Sequence, residues 1–145
     1  SIARGMGMSA VRVDSFDTAR HSWAMFETKV RAADCISLHV PLTPETDNLF
    51  DAERLSWMKD DSALVNTARG PIVNEDALLR ELESGRLRAA LDVFWEEPYQ
   101  GRLAKLSSER VILSPHIAST CREFIQYTAA DFLAFMDGIE RGVKA

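Results

Sequence analysis

Five short apolar runs, separated by stretches of helical periodicity, constrain the fold of this chain most. They fall at Ser9–Val13, Cys35–Val40, Ala63–Thr67, Ala89–Phe94 and Val111–Ser114. The runs are mostly continuous rather than alternating, the pattern of parallel strands covered on both faces. Between them, Trp23, Phe26 and Val30 mark one amphipathic helix and DAERLSWM a shorter one. EDALLRELES forms a third, with Leu78, Leu79 and Leu82 on one stripe. Asn74 is its expected N-cap and Gly85 its C-terminal stop. Strand and helix in alternation predict βαβ units. The expected fold is α/β, a truncated doubly wound (Rossmann-like), mainly parallel sheet with helices on both faces.

Composition narrows the function classes. At 145 residues the chain is long enough for one domain with a real core. Its 46% hydrophobic and 27% charged residues are those of an ordinary globular protein. A net charge of −5 without a basic stripe argues against a nucleic-acid partner. No apolar run approaches the roughly 18 residues of a membrane span, and the first residues do not form a secretory signal. Cys35 and Cys121 are isolated and lack metal-ligand spacing, so no metal is expected. Cys35, within ADCISLHV, is expected to be a buried thiol, which favours a reducing compartment and a cytoplasmic location.

Three polar residues follow the ends of expected strands: Arg69 in NTARGP, Glu97 in LDVFWEEP and His116 in ILSPHIAS. Ligands of an open parallel sheet sit outside the carboxyl ends of its strands, so these side chains should converge on one crevice. A guanidinium can bind a carboxylate and polarise a carbonyl. An imidazole can pass a proton, and a carboxylate beside it favours its charged form. Asp92 stands inside the apolar run AALDVF, where a carboxylate is costly unless it is hydrogen-bonded.

The two ends read differently from the middle. SIARGMGM looks like the last turns of a helix entering a strand that ends at Asp14. Gly5 and Gly7 do not make a phosphate-binding fingerprint, because no full G-x-G-x-x-G exists. A long helix is expected from about Arg122 to Glu140. Ile125, Ala129, Phe132, Met136 and Ile139 share one face, with Phe124, Tyr127 and Phe135 off it. Such a helix calls for a second partner, and the chain is expected to be a piece of something larger.

SLHVPLTPETDNLF, ALVNTARGPIVNEDALLRELESGRLRAALDVFWEEP and VILSPHIAS together resemble the D-isomer-specific 2-hydroxyacid dehydrogenases. The similarity runs from GMSAVRVD to the final helix. In that family the nucleotide-binding domain is inserted in a flavodoxin-like substrate domain. Residues 1–145 resemble the later part of the nucleotide-binding domain, without the glycine-rich turn and the substrate domain. The resemblance implies NAD as cofactor. Asp14 would take the adenine ribose hydroxyls and favour NAD over NADP. His39, Val40 and Pro41 would lie along the adenine side, largely through backbone and packing, with no chemistry assigned to His39. Thr67 and Ala68 would follow the cofactor, with Arg69 orienting the substrate beside it. Asp92 would bind the nicotinamide carboxamide; the alternative is an acid that caps a neighbouring loop. His116 would be the acid/base, with Ile117, Ala118 and Ser119 running beside the nicotinamide. Glu97 would be its partner, rather than the adjacent Glu96, because the family places that partner immediately before proline. Glutamate here also argues against the formate dehydrogenase branch, which carries glutamine. Trp95 and Tyr99 read as packing or rim residues.

The function so implied is an oxidoreductase that transfers hydride between NAD(H) and a small 2-hydroxy or 2-keto acid. A homodimer is expected through this domain, and this chain alone is expected to be inactive. A reading from another class is an NAD-sensing interaction module, like the transcriptional corepressors that share the fold and keep a similar triad. A third is an inactive fragment that retains the motifs.

Overall fold

The structure, a computed structural model, describes residues 2–13 and 23–120. A short helix, α1 (Ile2–Gly5), comes first, and α2 (Trp23–Ala32) leads into β1 (Cys35–Leu38). Then come α3 (Ala52–Ser56), β2 (Ala63–Asn66), α4 (Glu75–Glu83), β3 (Arg88–Leu91) and β4 (Val111–Leu113). The four strands form one sheet in the order β1-β2-β3-β4, and every pairing is parallel. This is the Rossmann-like α/β arrangement expected from the sequence.

Local chemistry sets the element boundaries. Asp51 caps α3 by accepting the Arg54 N–H, and Asn74 caps α4 by accepting the Ala77 N–H at 2.9 Å. Gly85, at φ +77, stops α4 in the left-handed conformation that glycine adopts without strain. Alternation along the strands puts Leu64, Ala89, Leu91 and Val111 on one buried face. Leu78, Leu79 and Leu82 of α4, Leu55 of α3 and Val30 of α2 join that face in a single apolar core. The row across the other face, Ser37, Val65, Ala90 and Ile112, is less covered, and Ile112 is exposed.

Two expectations need correction. Ser9–Val13 is not a strand. None of the four strands of the described sheet includes these residues, and an apolar run becomes a strand only where its backbone joins a ladder. Cys35 is exposed rather than buried. It begins an edge strand in which only Leu38 is fully buried, so it gives no support to a reducing compartment. The expected helix over 122–140, Asp14 and Cys121 lie outside the described residues.

One contact fixes the distance between the loops after β2 and β3. A Cβ placed on Gly70 would sit 2.2 Å from the Phe94 carbonyl carbon and 2.6 Å from the Trp95 nitrogen. Both are backbone atoms, which cannot rotate away. Glycine is therefore required for this close approach. Pro71 follows within the short 3-10 turn Gly70–Ile72, where its fixed φ suits a helical start. Gly70→Ala should push the two loops apart and cost about 1–3 kcal/mol, as overpacking of a filled site does. Urea unfolding of the variant beside wild type measures this; an unchanged midpoint would mean that the loops are not tightly apposed.

Candidate active site

Each functional side chain stands where a strand ends and a polar residue shapes the loop that follows. At the end of β2, Asn66 is buried, with 1% of its surface exposed. Its amide nitrogen donates to the Arg69 carbonyl at 2.8 Å, and its Oδ1 accepts the Ala68 N–H at 3.0 Å. Those two bonds fold Thr67-Ala68-Arg69 back over the strand end. The Arg69 guanidinium remains exposed and donates to the Ala68 carbonyl.

The loop after β1 is pinned in a similar way. Thr46 is buried; its hydroxyl donates to the Pro41 carbonyl at 2.6 Å and accepts the Thr43 N–H at 2.8 Å. Between the two loops lies a cleft of about 580 Å³, lined by His39, Val40, Pro41 and Leu42 on one side and Thr67, Ala68 and Arg69 on the other. Its walls mix apolar Val40, Pro41, Leu42 and Ala68 with polar His39, Thr67 and Arg69. That is the usual make-up of a small-molecule site. His39 faces the Ser37 hydroxyl at 2.8 Å.

Asp92 follows β3 and is 4% exposed. Its Oδ1 accepts the Ser114 hydroxyl at 2.5 Å and the Ile117 N–H at 2.9 Å, while Oδ2 accepts the Ala118 N–H at 2.9 Å. Burial raises the pKa of this carboxyl. The Ser114, Ala118 and Ile117 bonds, with the nearby His116, more than offset that and hold it below the ordinary value. Asp92 thus ties the loop after β4 onto the end of β3. Three of the roughly four acceptor positions of a carboxylate are used, which leaves one on Oδ2.

That loop presents His116. Its N–H donates to the Ser114 carbonyl at 2.9 Å across Pro115, and its φ is +55, in the left-handed region. A non-glycine residue there costs on the order of 1 kcal/mol and needs neighbouring contacts to hold it. The Asp92 bonds to the next two N–H groups supply them. The His116 Nδ1 lies 2.9 and 3.0 Å from the two Glu97 carboxylate oxygens. Glu97 Oε1 also accepts the Phe94 N–H at 3.2 Å. The bond from His116 holds the Glu97 carboxyl below its ordinary pKa; burial opposes this, and Phe94 and the charges of His116 and Arg69 reinforce it. An ionised carboxylate only accepts, so Nδ1 carries the proton and Nε2 is left for exchange with a ligand. The pair is open to solvent, with side chains 42% and 41% exposed.

The sheet's carboxyl edge therefore brings together most of the residues singled out from the sequence. Val40, Pro41, Thr67, Ala68 and Arg69 share the cleft, while Glu97 and His116 form their pair outside its lining. The loop that bears Arg69 meets the loop that bears Glu97 at Gly70, against the backbone of Phe94 and Trp95. Glu97, and not Glu96, faces His116; Glu96 lines a separate cleft with Glu75, Trp95 and Tyr99. Ile117 and Ala118 meet Asp92 through their backbone, and Ser119 follows them, exposed. Asn66 and Ser114 were missed from the sequence. Each is a polar residue at the end of an apolar run, whereas Asp92 stood out inside one.

Comparison with known proteins gives the family. The sequence profile of the D-isomer specific 2-hydroxyacid dehydrogenase, NAD binding domain, matches residues 1–118. A glyoxylate reductase of Thermococcus litoralis is 36% identical over 94% of this chain and 44% of its own length. A D-3-phosphoglycerate dehydrogenase of Synechocystis is 38% identical over 99% of this chain and 27% of its own length. A D-isomer specific 2-hydroxyacid dehydrogenase from Xanthobacter autotrophicus, solved with NADPH and MES, superposes with a TM-score of 0.69 at 32% identity. The match covers 86% of this chain and 51% of that one. The chain belongs to the D-isomer specific 2-hydroxyacid dehydrogenase family and matches its NAD-binding domain. It spans less than half the length of the curated relatives it matches here. No helix among the described residues is long and apolar enough to cross a membrane.

Asp92→Asn puts an NH2 group against N–H donors and should cost about 1–3 kcal/mol, the range for a buried group left unsatisfied. Urea unfolding at pH 7 measures the loss, and faster amide exchange at Ile117 and Ala118 locates it. The folded pKa of Asp92 is depressed, so its contribution is complete above the ordinary 3.8 and disappears as pH falls through the folded value. The gap between wild type and Asp92→Asn should therefore narrow in acid.

Proposed function

We propose that this chain is the cofactor-binding part of an enzyme that transfers hydride between NAD(H) and a small 2-hydroxy or 2-keto acid. One observation carries the reading: an imidazole bonded through Nδ1 to an ionised carboxylate, on a loop whose backbone packs against the one that bears Arg69. The cleft between the loops after β1 and β2 suits a dinucleotide by its place at the sheet's carboxyl edge and its mixed apolar and polar lining. Val40, Pro41, Thr67 and Ala68 would hold the cofactor there, with Arg69, His116, Ile117, Ala118 and Ser119 along its reactive end. The remaining acceptor position on Asp92 suits an amide N–H of the nicotinamide carboxamide. Asp14 would take the adenine ribose hydroxyls and set the preference for NAD. NAD, when bound, supplies or accepts the hydride.

The residues of the chain divide the remaining work. Arg69 binds the substrate carboxylate and polarises the keto group. His116 gives a proton from Nε2 to the carbonyl oxygen during reduction and takes it back from the hydroxyl during oxidation. Glu97 fixes the imidazole tautomer and stabilises the imidazolium. The two exposed side chains of the pair need a cover that keeps water out during the reaction. Residues 1–145 alone are accordingly expected to be inactive. The same reading makes the enzyme a homodimer, which size-exclusion chromatography with light scattering tests.

In the complete enzyme, His116→Asn should lower turnover by about 10² to 10⁴, the range for loss of a general acid/base. Asparagine tolerates the left-handed backbone at this position, so the loss would report chemistry rather than strain. Glu97→Gln should impair turnover far more than Glu96→Gln. NADH oxidation with pyruvate, glyoxylate and hydroxypyruvate measures all three variants. Equal losses at the two glutamates would reject the assigned pair, and robust turnover by the 145-residue chain would reject its inactivity.

A further inference from the structure

The loop that carries Glu97 is held from a side remote from the cleft, by a side chain without a place in the chemistry above. The Tyr99 ring stacks on Phe94, with centroids 4.7 Å apart and planes 17° from parallel. Its hydroxyl donates to Glu75 Oε1 at 2.7 Å and accepts the Leu103 N–H at 3.2 Å. Glu75 is the first residue of α4, so the hydroxyl is anchored on a helix packed into the core. The backbone N–H of Phe94, beneath the ring, is the one that donates to Glu97 Oε1. Contacts therefore run without a break from α4 through Glu75, Tyr99 and Phe94 to the carboxylate that meets His116.

The seat of the ring is cut to shape. A Cβ on Gly101 would lie 2.4 Å from both Cζ and the hydroxyl oxygen of Tyr99. Glycine at 101 is what lets the ring lie flat at this place. Desolvation and the bond to Glu75 push the Tyr99 phenol up to about 12, so it stays protonated and donating across the physiological range. Trp95 adds a second tie, its indole N–H donating to the Val73 carbonyl at 2.7 Å.

We infer that Tyr99 is a positioning residue, bracing the Phe94–Pro98 loop against the start of α4 so that the Glu97 carboxylate is held in register with His116. Its role in turnover rests on the function proposed above; the brace itself does not. A catalytic group held by packed neighbours keeps its geometry, whereas one on an untethered loop loses it.

The experiment follows the Glu97 side-chain carboxyl carbon by NMR as a function of pH in the full 145-residue chain, with thermal melts alongside. Tyr99→Phe keeps the stack and removes both hydroxyl bonds. Gly101→Ala removes no hydrogen-bonding group but displaces the ring and its hydroxyl, the far end of a side chain being the part that can move. In both variants the Glu97 titration midpoint should move up toward the ordinary carboxylate value, as the bonds from His116 and Phe94 loosen. Glu75→Gln retains an acceptor oxygen for the phenol and should move it less. A brace that is only structural would lower the melting temperature and leave the Glu97 midpoint where it is. That result in both Tyr99→Phe and Gly101→Ala would overturn the proposal. In the complete enzyme, Tyr99→Phe should lower kcat with little change in KM for NADH. Should no form of the enzyme turn over 2-keto acids while the Glu97 midpoint still shifts, the functional reading fails and the brace stands.

Discussion

The arrangement at the sheet's carboxyl edge depends on one buried carboxylate. Asp92 gathers a hydroxyl and two backbone N–H groups from the loop after β4, and no aliphatic residue could replace it there. A carboxylate under a loop is unfavourable when alone and favourable when three donors converge on it. The loop takes its shape from that exchange. His116 can occupy a left-handed backbone because the two residues after it are fixed from below.

Around this anchor, two further devices set distances. Asn66 folds the Arg69 loop back on its own strand, and the Gly70 contact sets how closely that loop meets the backbone of Phe94 and Trp95. Three strand ends are thus joined sideways, β2 to β3 through glycine and β3 to β4 through Asp92. The charged groups are exposed, yet the groups that place them are buried. Stability and site geometry therefore draw on the same residues, and a change in the buried polar set is felt in both.

Much of this was legible in the sequence, for physical reasons that differ by element. The four strands that formed overlap the apolar runs, and the stops at Asn74 and Gly85 follow from a local hydrogen bond and a left-handed backbone, respectively. Ser9–Val13 failed because its apolar composition says nothing about whether a pairing partner is present. Cys35 failed because a strand's composition does not reveal that it lies at an edge. At the site, the nature of Arg69, Glu97 and His116 could be read from charge at the ends of apolar runs. Their supports were harder to see. Asn66 and Ser114 look ordinary at the ends of strands, and the close approaches at Gly70 and Gly101 depend on residues 24 and 2 positions away, respectively, that only the folded chain brings against them.

The sequence spacing of these ties says how much of the chain each one needs. Residues 39 to 69 line the cleft; its loops close locally, through Thr46 onto Pro41 and Asn66 onto Arg69, but the strands that carry them pair across 28 positions. The imidazole–carboxylate pair spans 19 positions, and Asp92 reaches its N–H partners across 25 and 26. Spans of 19 to 28 positions carry nearly the same loop-closure cost, because that cost grows only with the logarithm of length. The cleft and the imidazole–carboxylate pair rest on different parts of one sheet, β1 with β2 for the first and β3 with β4 for the second. A change that frees β4 would take the pair apart and leave the cleft standing.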